Sequence, residues 1–556
     1  MYMDSVLNTL LVFWFLLFIF YVLVHRGLWI FSDVSRTMGI FMLEKALGPG
    51  IDLVEGRTGS AARSWIIQSA LWLFLASIFT FEGLWLTHEP NALHALSSWG
   101  YNPSSSSLMA TGKVVTMFGG VSMALIGCGF HILPRLLGTE LASERNGTLV
   151  SFLWSISVTF FIVGSHDPVI LDIKIMMIAT LIQSLALTAV IINQLLTLSN
   201  RSGSIPLPAW LIIFGLMGQP LALISSLLTG VLSTGSGLWL LYHVSANTMF
   251  FLSIAGVVLY TTSVVSGNPL WSRSLVGATL IGGLMTLSPL GSPDGNLTAS
   301  MLGIESQELS FSGGSDIIVS FLLALAMVPY VAFAVNSMLT MRGGNTSKEN
   351  PNTAGLAEIN LGTIALIPVF LGSLFIQSDA ITNTNALSGM SFTIETMARW
   401  AVVVPLTFGS ALALYPSITG RELVSADRAR YAFWLMSGGV LLGLMVTLMS
   451  NVIDIALIDA EIEDPSSLSH ELAVAGSVIF YFAVISMILH CLNMVSGLFR
   501  GVIVDSKSKT SSSIEAQSYN LSSPTSIRRI LGSGAGMDTV VVPVGESDEA
   551  GSATDL

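Results

Sequence analysis

Chemistry in this chain has to come from histidines, cysteines and charges set among apolar residues, and all three are scarce. The eight histidines are His25, His88, His94, His131, His166, His243, His470 and His490. Neutral imidazole is a common ligand of copper and of haem iron. A metal site, however, needs about three or four ligands converging on one point. His243 has no histidine at i+3 or i+4, and His470 and His490 lie near opposite ends of one apolar run. His88 and His94 share a polar stretch and are the pair placed to hold a surface metal. The two cysteines, Cys128 and Cys491, sit in separate apolar runs and form neither a disulfide framework nor a C-x-x-C motif. Charges inside apolar runs are costly in lipid and usually face the protein interior. Arg399 follows Glu395 by one helical turn and is placed to pair with it. Lys113 and Glu82 fall at the same end of neighbouring runs and are placed either to pair or to snorkel, and Lys174 and Asp172 can snorkel at a run's edge. No continuous row of proton-relaying groups is present.

The elements that would position these groups are legible from composition. The 556 residues are 52% hydrophobic and 10% charged, with a net charge of −12 and a mean hydropathy of +0.75. Soluble proteins carry roughly 25% charged residues. Apolar runs of the ~20 residues needed to cross a bilayer recur along the chain, and in lipid each must satisfy its own backbone as a helix. Thirteen spans are expected, at about 7–31, 64–87, 109–133, 148–165, 171–197, 208–230, 236–264, 272–290, 316–340, 359–378, 392–415, 431–456 and 470–499. The first is too long for a cleaved signal and is read as a retained helix. Residues 36–63 are expected as a cytoplasmic loop, and the Ser-, Gly- and Asp-rich tail 501–556 as disordered. Of the 22 Lys and Arg residues, all but Arg26, Lys113, Lys174 and Arg399 fall after odd-numbered spans or in the tail. That one-sided placement puts the N-terminus outside and the tail in the cytoplasm of a multi-pass cell-membrane protein. The opposite loops carry Glu89, Asp167, Asp172, Asp294, Glu305, Glu308, Asp379, Asp459, Glu461, Glu463 and Asp464. Such an acidic face is suited either to simple solvation or to steering a basic soluble electron carrier. No nucleic-acid partner is expected.

Several landmarks between Ser64 and Gly501 resemble subunit I of the heme-copper oxidases, the family of cytochrome c oxidases and nitric oxide reductases. Phe433-Trp434-Leu435-Met436 with Gly438 and Gly439 is similar to the start of that family's eleventh helix, with Ala432 where the pattern has His. Tyr415-Pro416 and Thr419-Gly420-Arg421 resemble the end of its tenth helix. Val328-Pro329 with Arg342-Gly343-Gly344 resembles its eighth, Gly127, Gly129 and Pro134 its second, and Trp239 through His243 its sixth. The resemblance implies a twelve-helix all-α membrane bundle, preceded here by one extra span.

It also implies two haems and a copper held by six histidines, and five of the six are replaced. His243 stands at the sixth-helix copper-ligand position. The second-helix position falls at Thr111 (Ala110 under a one-residue shift). The seventh-helix pair falls at Leu290 and Gly291 within Ser288-Pro289-Leu290-Gly291, and the tenth-helix pair at Ile394 and Thr396. Asn247 replaces the tyrosine four residues after the sixth-helix His, and Phe333 replaces the eighth-helix proton-path lysine. The arginine pair that binds haem propionates has no counterpart. Arg399 is expected to fill space and charge that haem or copper would hold. The reading that follows is a respiratory electron-transfer subunit, degenerate at its metal centres, acting as a structural or partner subunit beside other subunits of the complex. Two alternatives stand: an active terminal oxidase or reductase with displaced ligands, and a transporter or channel reusing the bundle.

Overall fold

The computed structural model describes residues 2–26, 58–201, 204–230, 235–290, 314–341, 354–376, 387–462, 465–504, 519–521 and 541–543. Thirteen main helices follow one another among them. They are α1 (Tyr2–Arg26), α2 (Ser60–His88), α3 (Ser105–Leu137), α4 (Glu144–His166), α5 (Ile175–Ser199) and α6 (Leu207–Leu228). Then come α7 (Gly235–Ser245 running on to Ser266), α8 (Arg273–Met285), α9 (Gly314–Leu325 continued by Met327–Met341) and α10 (Leu356–Ile376). The last are α11 (Leu387–Met397 running on to Thr419), α12 (Ala426–Asp459) and α13 (Pro465–Arg500). Twelve are long and apolar enough to cross a membrane, so the chain is an all-α integral membrane protein.

The thirteenth, α8, corrects the span expected at 272–290. It has 13 residues, about 20 Å at 1.5 Å per residue, against a hydrocarbon core of roughly 30 Å. It stops because Thr286 turns to extended backbone (φ −118°, ψ 169°) and Pro289 follows, which disfavours helix at the residue before it. The span expected from 171 also starts later. Val169–Ile170 and Ile173–Lys174 pair as a short antiparallel hairpin, and α5 begins at Ile175. The tail is not featureless either. Residues 501–504 are tied to the loop after α11 through Glu422 N–H to Val502 O and Val504 N–H to Gly420 O, both 2.9 Å. Farther on, Tyr519–Leu521 pairs antiparallel with Val541–Pro543. Most of the loop expected at 36–63 lies outside the described residues.

One sequence pattern, Gly-x-x-Leu-x-Ser, occurs at three helix junctions: Gly138 to Ser143, Gly267 to Ser272 and Gly420 to Ser425. Each Gly ends a helix with φ of +63°, +72° and +69°, a conformation that side-chain-bearing residues rarely adopt. Each Ser caps the next helix, its hydroxyl accepting from Asn146, Leu275 and Arg428 N–H. An Asn from a later helix then grips both backbone groups of that Ser. Asn193 does so for Ser143 (3.1 and 2.8 Å), Asn336 for Ser272 (3.1 and 3.0 Å) and Asn493 for Ser425 (3.0 and 2.9 Å).

The helix that ends at each Gly also contains a π-helical segment: Val115–Val121 in α3, Ala246–Leu252 in α7 and Ala398–Val403 in α11. The helix preceding it in the unit packs against it, α2 on α3, α6 on α7 and α10 on α11. The bundle is therefore three four-helix units, α2–α5, α6–α9 and α10–α13, and α13 against α2 closes the ring. Small residues allow these close approaches. Large buried rings fill the space between, among them Trp65, Trp154, Trp400 and Tyr330.

Helix α1 stands outside this threefold plan and docks on the middle unit. Phe20 meets Phe214 edge-on at 5.7 Å, and the Thr9 and Thr229 hydroxyls are 2.8 Å apart. Trp14 Nε1 donates to Leu284 O at 3.0 Å, on the last turn of α8.

Candidate functional site

The intervals separating the three glycines also separate Lys113, Tyr242 and Glu395. These are equivalent positions of α3, α7 and α11, and they meet. Lys113 Nζ lies 3.6 Å from Glu395 Oε2 and 5.7 Å from the centre of the Tyr242 ring, a cation–π distance. Arg399 joins the same carboxylate oxygen at 3.6 Å and donates from Nη2 to Thr396 Oγ1 at 3.1 Å. The pairing placed between Glu395 and Arg399 from their spacing is thus present, with Lys113 as a second cation. Glu82, the expected partner of Lys113, instead accepts from the Tyr101 hydroxyl at 2.6 Å.

Two chambers flank this group. The larger, about 120 Å³, is lined by Lys113, Gln183, Gln219 and Tyr242 among apolar side chains that include Trp154, Leu187 and Leu223. The smaller, about 50 Å³, is lined by Glu395, Arg399, Ser288, Leu290 and Tyr330. Met117, Tyr242, Ala246 and Phe250 border both. All three π segments contribute wall residues. A π turn widens the helix by one residue and frees a carbonyl from the regular ladder, and such segments recur at functional sites. In α3, Trp154 Nε1 donates to Phe118 O at 2.6 Å and Ser122 Oγ to Met117 O at 2.7 Å, satisfying carbonyls of the π turn.

A buried polar network closes the smaller chamber where α8 stops. The Tyr330 hydroxyl donates to Asn247 Oδ1 (3.0 Å) and sits 2.8 Å from Ser288 Oγ. Asn247 Nδ2 lies 3.0 Å from Gly283 O and 2.9 Å from Thr286 O, so it caps the α8 C-terminus. His243 Nδ1 donates to Ser288 O at 2.5 Å. Where α8 stops, the Gly283 and Thr286 carbonyls are met by Asn247 and the Leu284 carbonyl by Trp14, as a helix end inside apolar surroundings requires.

Thr111 is buried and bonds the Ser107 carbonyl at 2.8 Å, and Ile394 is buried facing Gly372. Thr396 bonds the Phe392 carbonyl at 2.9 Å while accepting from Arg399. Leu290 lines the smaller chamber, and Gly291 lies outside the described residues. Haem and copper do not fit this donor set. Among the described residues no three His, Cys, Asp or Glu side chains gather as a metal site would need. His243 commits its Nδ1 to the Ser288 carbonyl, and the positive charge of Lys113 acts on it, which disfavours a metal ion there. The surface pair His88 and His94 gathers no such set either, and His470 reaches Glu89 at 3.2 Å.

Two features escaped the sequence reading. In the sequence Tyr242 stands only as one residue of the Trp239–His243 landmark and Tyr330 carries no mark, and only tertiary contacts bring them to the site. The Gly-x-x-Leu-x-Ser repeat was present as a signal, since aligning its three copies places Lys113, Tyr242 and Glu395 in register. Elsewhere, His490 and Glu358 form a fully buried pair at 3.7 Å, remote in sequence from this site. No family model matches the chain, and no curated protein matches it.

Proposed function

We propose that this chain is a heme-copper oxidase subunit I-like scaffold that has given up metal chemistry and serves as a structural or partner subunit of a respiratory electron-transfer complex. The carrying observation is spatial. Among the described residues, several positions assigned to the family's ligands by counting along separate helices, or their immediate neighbours, lie around one place. Lys113, two residues beyond Thr111, pairs with Glu395, which sits between Ile394 and Thr396. Thr396 holds Arg399, which shares a chamber with Leu290 and Ser288, and Ser288 holds His243. In this reading the N-terminus is outside, the tail is cytoplasmic, and the acidic outer loops face a basic soluble electron carrier.

The test is purification from native membranes with a pyridine haemochrome assay and identification of co-purifying subunits. The expected result is no stoichiometric haem together with a true oxidase in the preparation. Stoichiometric haem would return the chain to the active oxidases. A second reading, a transporter or channel, is favoured by the interrupted α8 and the inward-facing ion cluster, both features of membrane substrate sites. Absence of both haem and oxidase partners would select it.

A further inference from the structure

We infer that the larger chamber is a binding site for a small neutral molecule with one hydrogen-bond-accepting oxygen on an apolar body of about benzene size, as in a cyclic ketone. The inference goes beyond the proposed function and is independent of whether the scaffold derives from an oxidase.

Three observations carry it. The first is an orphan donor. Gln183 is 6% exposed, and its Nε2 has no hydrogen-bond partner. Buried amide donors are nearly always paired, and each exception calls for a cause. Gln183 lines the larger chamber. The terminal torsion of a glutamine is broad, so turning the amide presents an N–H to the chamber with no movement of α5. The second is position. Thr180, Gln183, Ser184 and Leu187 of α5 and Gln219 and Leu223 of α6 line the chamber, so it lies where the first four-helix unit meets the second. Leu181 and Ile224, each next in sequence to a wall residue, are 60% and 44% exposed and mark the lipid side of this seam. A ligand arriving from lipid is neutral, because a charge there is costly.

The third observation is shape. Much of the remaining wall is apolar, formed by Met117, Phe118, Trp154, Leu187, Leu223 and Phe250. The volume of about 120 Å³ approaches the ~150 Å³ of an engineered apolar cavity that binds benzene. A single water, whose share of liquid volume is ~30 Å³, would meet the amide and leave most of the chamber unfilled. Long acyl chains exceed the volume and bring no acceptor to Gln183. A compact ring ketone answers both features, its carbonyl oxygen accepting from Gln183 Nε2 and its ring against the apolar wall.

The test is equilibrium dialysis of two radiolabelled probes against the purified full chain in lipid nanodiscs, with empty nanodiscs as the blank. The probes are cyclopentanone and methylenecyclopentane, its isostere with a CH2 group in place of the carbonyl oxygen. Saturable binding of one cyclopentanone per chain is expected. Gln183→Leu should weaken cyclopentanone by about tenfold, the loss of one hydrogen bond, and leave methylenecyclopentane unchanged or tighter. Following both probes across one substitution cancels their unequal affinity for water. Leu223→Trp, which fills the chamber, should abolish binding of both, whereas Arg430→Gln, which breaks an exposed ion pair with Asp427, should affect neither. Because Gln183→Leu removes no charge and little volume, it keeps the test open should Leu223→Trp fail to fold. Equal effects of Gln183→Leu on the two probes would overturn the inference. Absence of saturable cyclopentanone binding would also overturn it, by assigning the chamber to lipid or water.

Discussion

The two ends of the π-containing helices follow opposite rules. At the basic-loop end, three copies of one junction are built alike: a left-handed Gly, a capping Ser, and an Asn that satisfies both backbone groups of that Ser. Toward the other end, the three equivalent positions carry three different residues, Lys113, Tyr242 and Glu395. There the helices widen into π turns, chambers open, and α8 stops short. Repetition at one end supplies a rigid frame, because an Asn from a later helix meets both backbone groups of each capping Ser. Divergence at the other end supplies a site, because unlike side chains from symmetric places can only complement one another or a ligand.

The contrast can be broken most sharply at the charged end. Arg399→Leu removes one partner of a buried ion cluster and leaves Glu395 to Lys113 alone. A loss of about 3–5 kcal/mol is expected, read as a lower midpoint in denaturant titration of the nanodisc-embedded protein. Wild-type stability would mean that Arg399 is a packing residue. At the frame end, Asn493→Leu strips Ser425 of both backbone partners. Each orphaned group costs about 1–3 kcal/mol, and the matching substitutions at Asn193 and Asn336 should cost alike if the three junctions are equivalent. Hydrogen exchange confined to the start of α12 would report the same change locally.

Smaller effects sharpen the picture. Trp14→Phe removes the indole donor to Leu284 O while keeping the ring. A cost of about 1 kcal/mol is expected, with faster exchange in the last turn of α8, showing that the extra first helix braces the interrupted one. The smallest effect concerns Tyr101, in the loop between α2 and α3. Burial and the hydrogen bond to Glu82 push its phenol well above the ordinary range, so the folded state holds the proton longer than the unfolded state. Its contribution is complete below the unfolded pKa of about 10 and is lost as pH rises above that value. Tyr101→Phe should flatten the fall of stability on the alkaline side, measured by melting temperature against pH.

Much of the frame was legible from local signals. Twelve of the thirteen expected spans overlap long apolar helices, because a run of apolar residues must be helical in lipid whatever surrounds it. The Arg399–Glu395 pair was legible because one helical turn separates the two residues. The span at 272–290 misled because hydropathy registers apolar content and is blind to the extended backbone at Thr286. The Lys113–Glu82 pairing misled because charge and depth say which residues share a level, not which neighbour a side chain turns toward.

By itself, then, the sequence determined the place of the apolar helices, the one-sided basic loops and the repeated Gly-x-x-Leu-x-Ser junctions. Each of these rests on short-range physics: helix periodicity, the cost of unsatisfied backbone in lipid, and charge asymmetry across a membrane. Only the tertiary structure decided that Lys113, Tyr242 and Glu395 share one point, that three π turns wall the chambers beside them, and that an Asn far along the chain grips each capping Ser. Those contacts join residues separated by one or more whole helices. Their energy depends on packing angle and side-chain direction, and no local pattern encodes either.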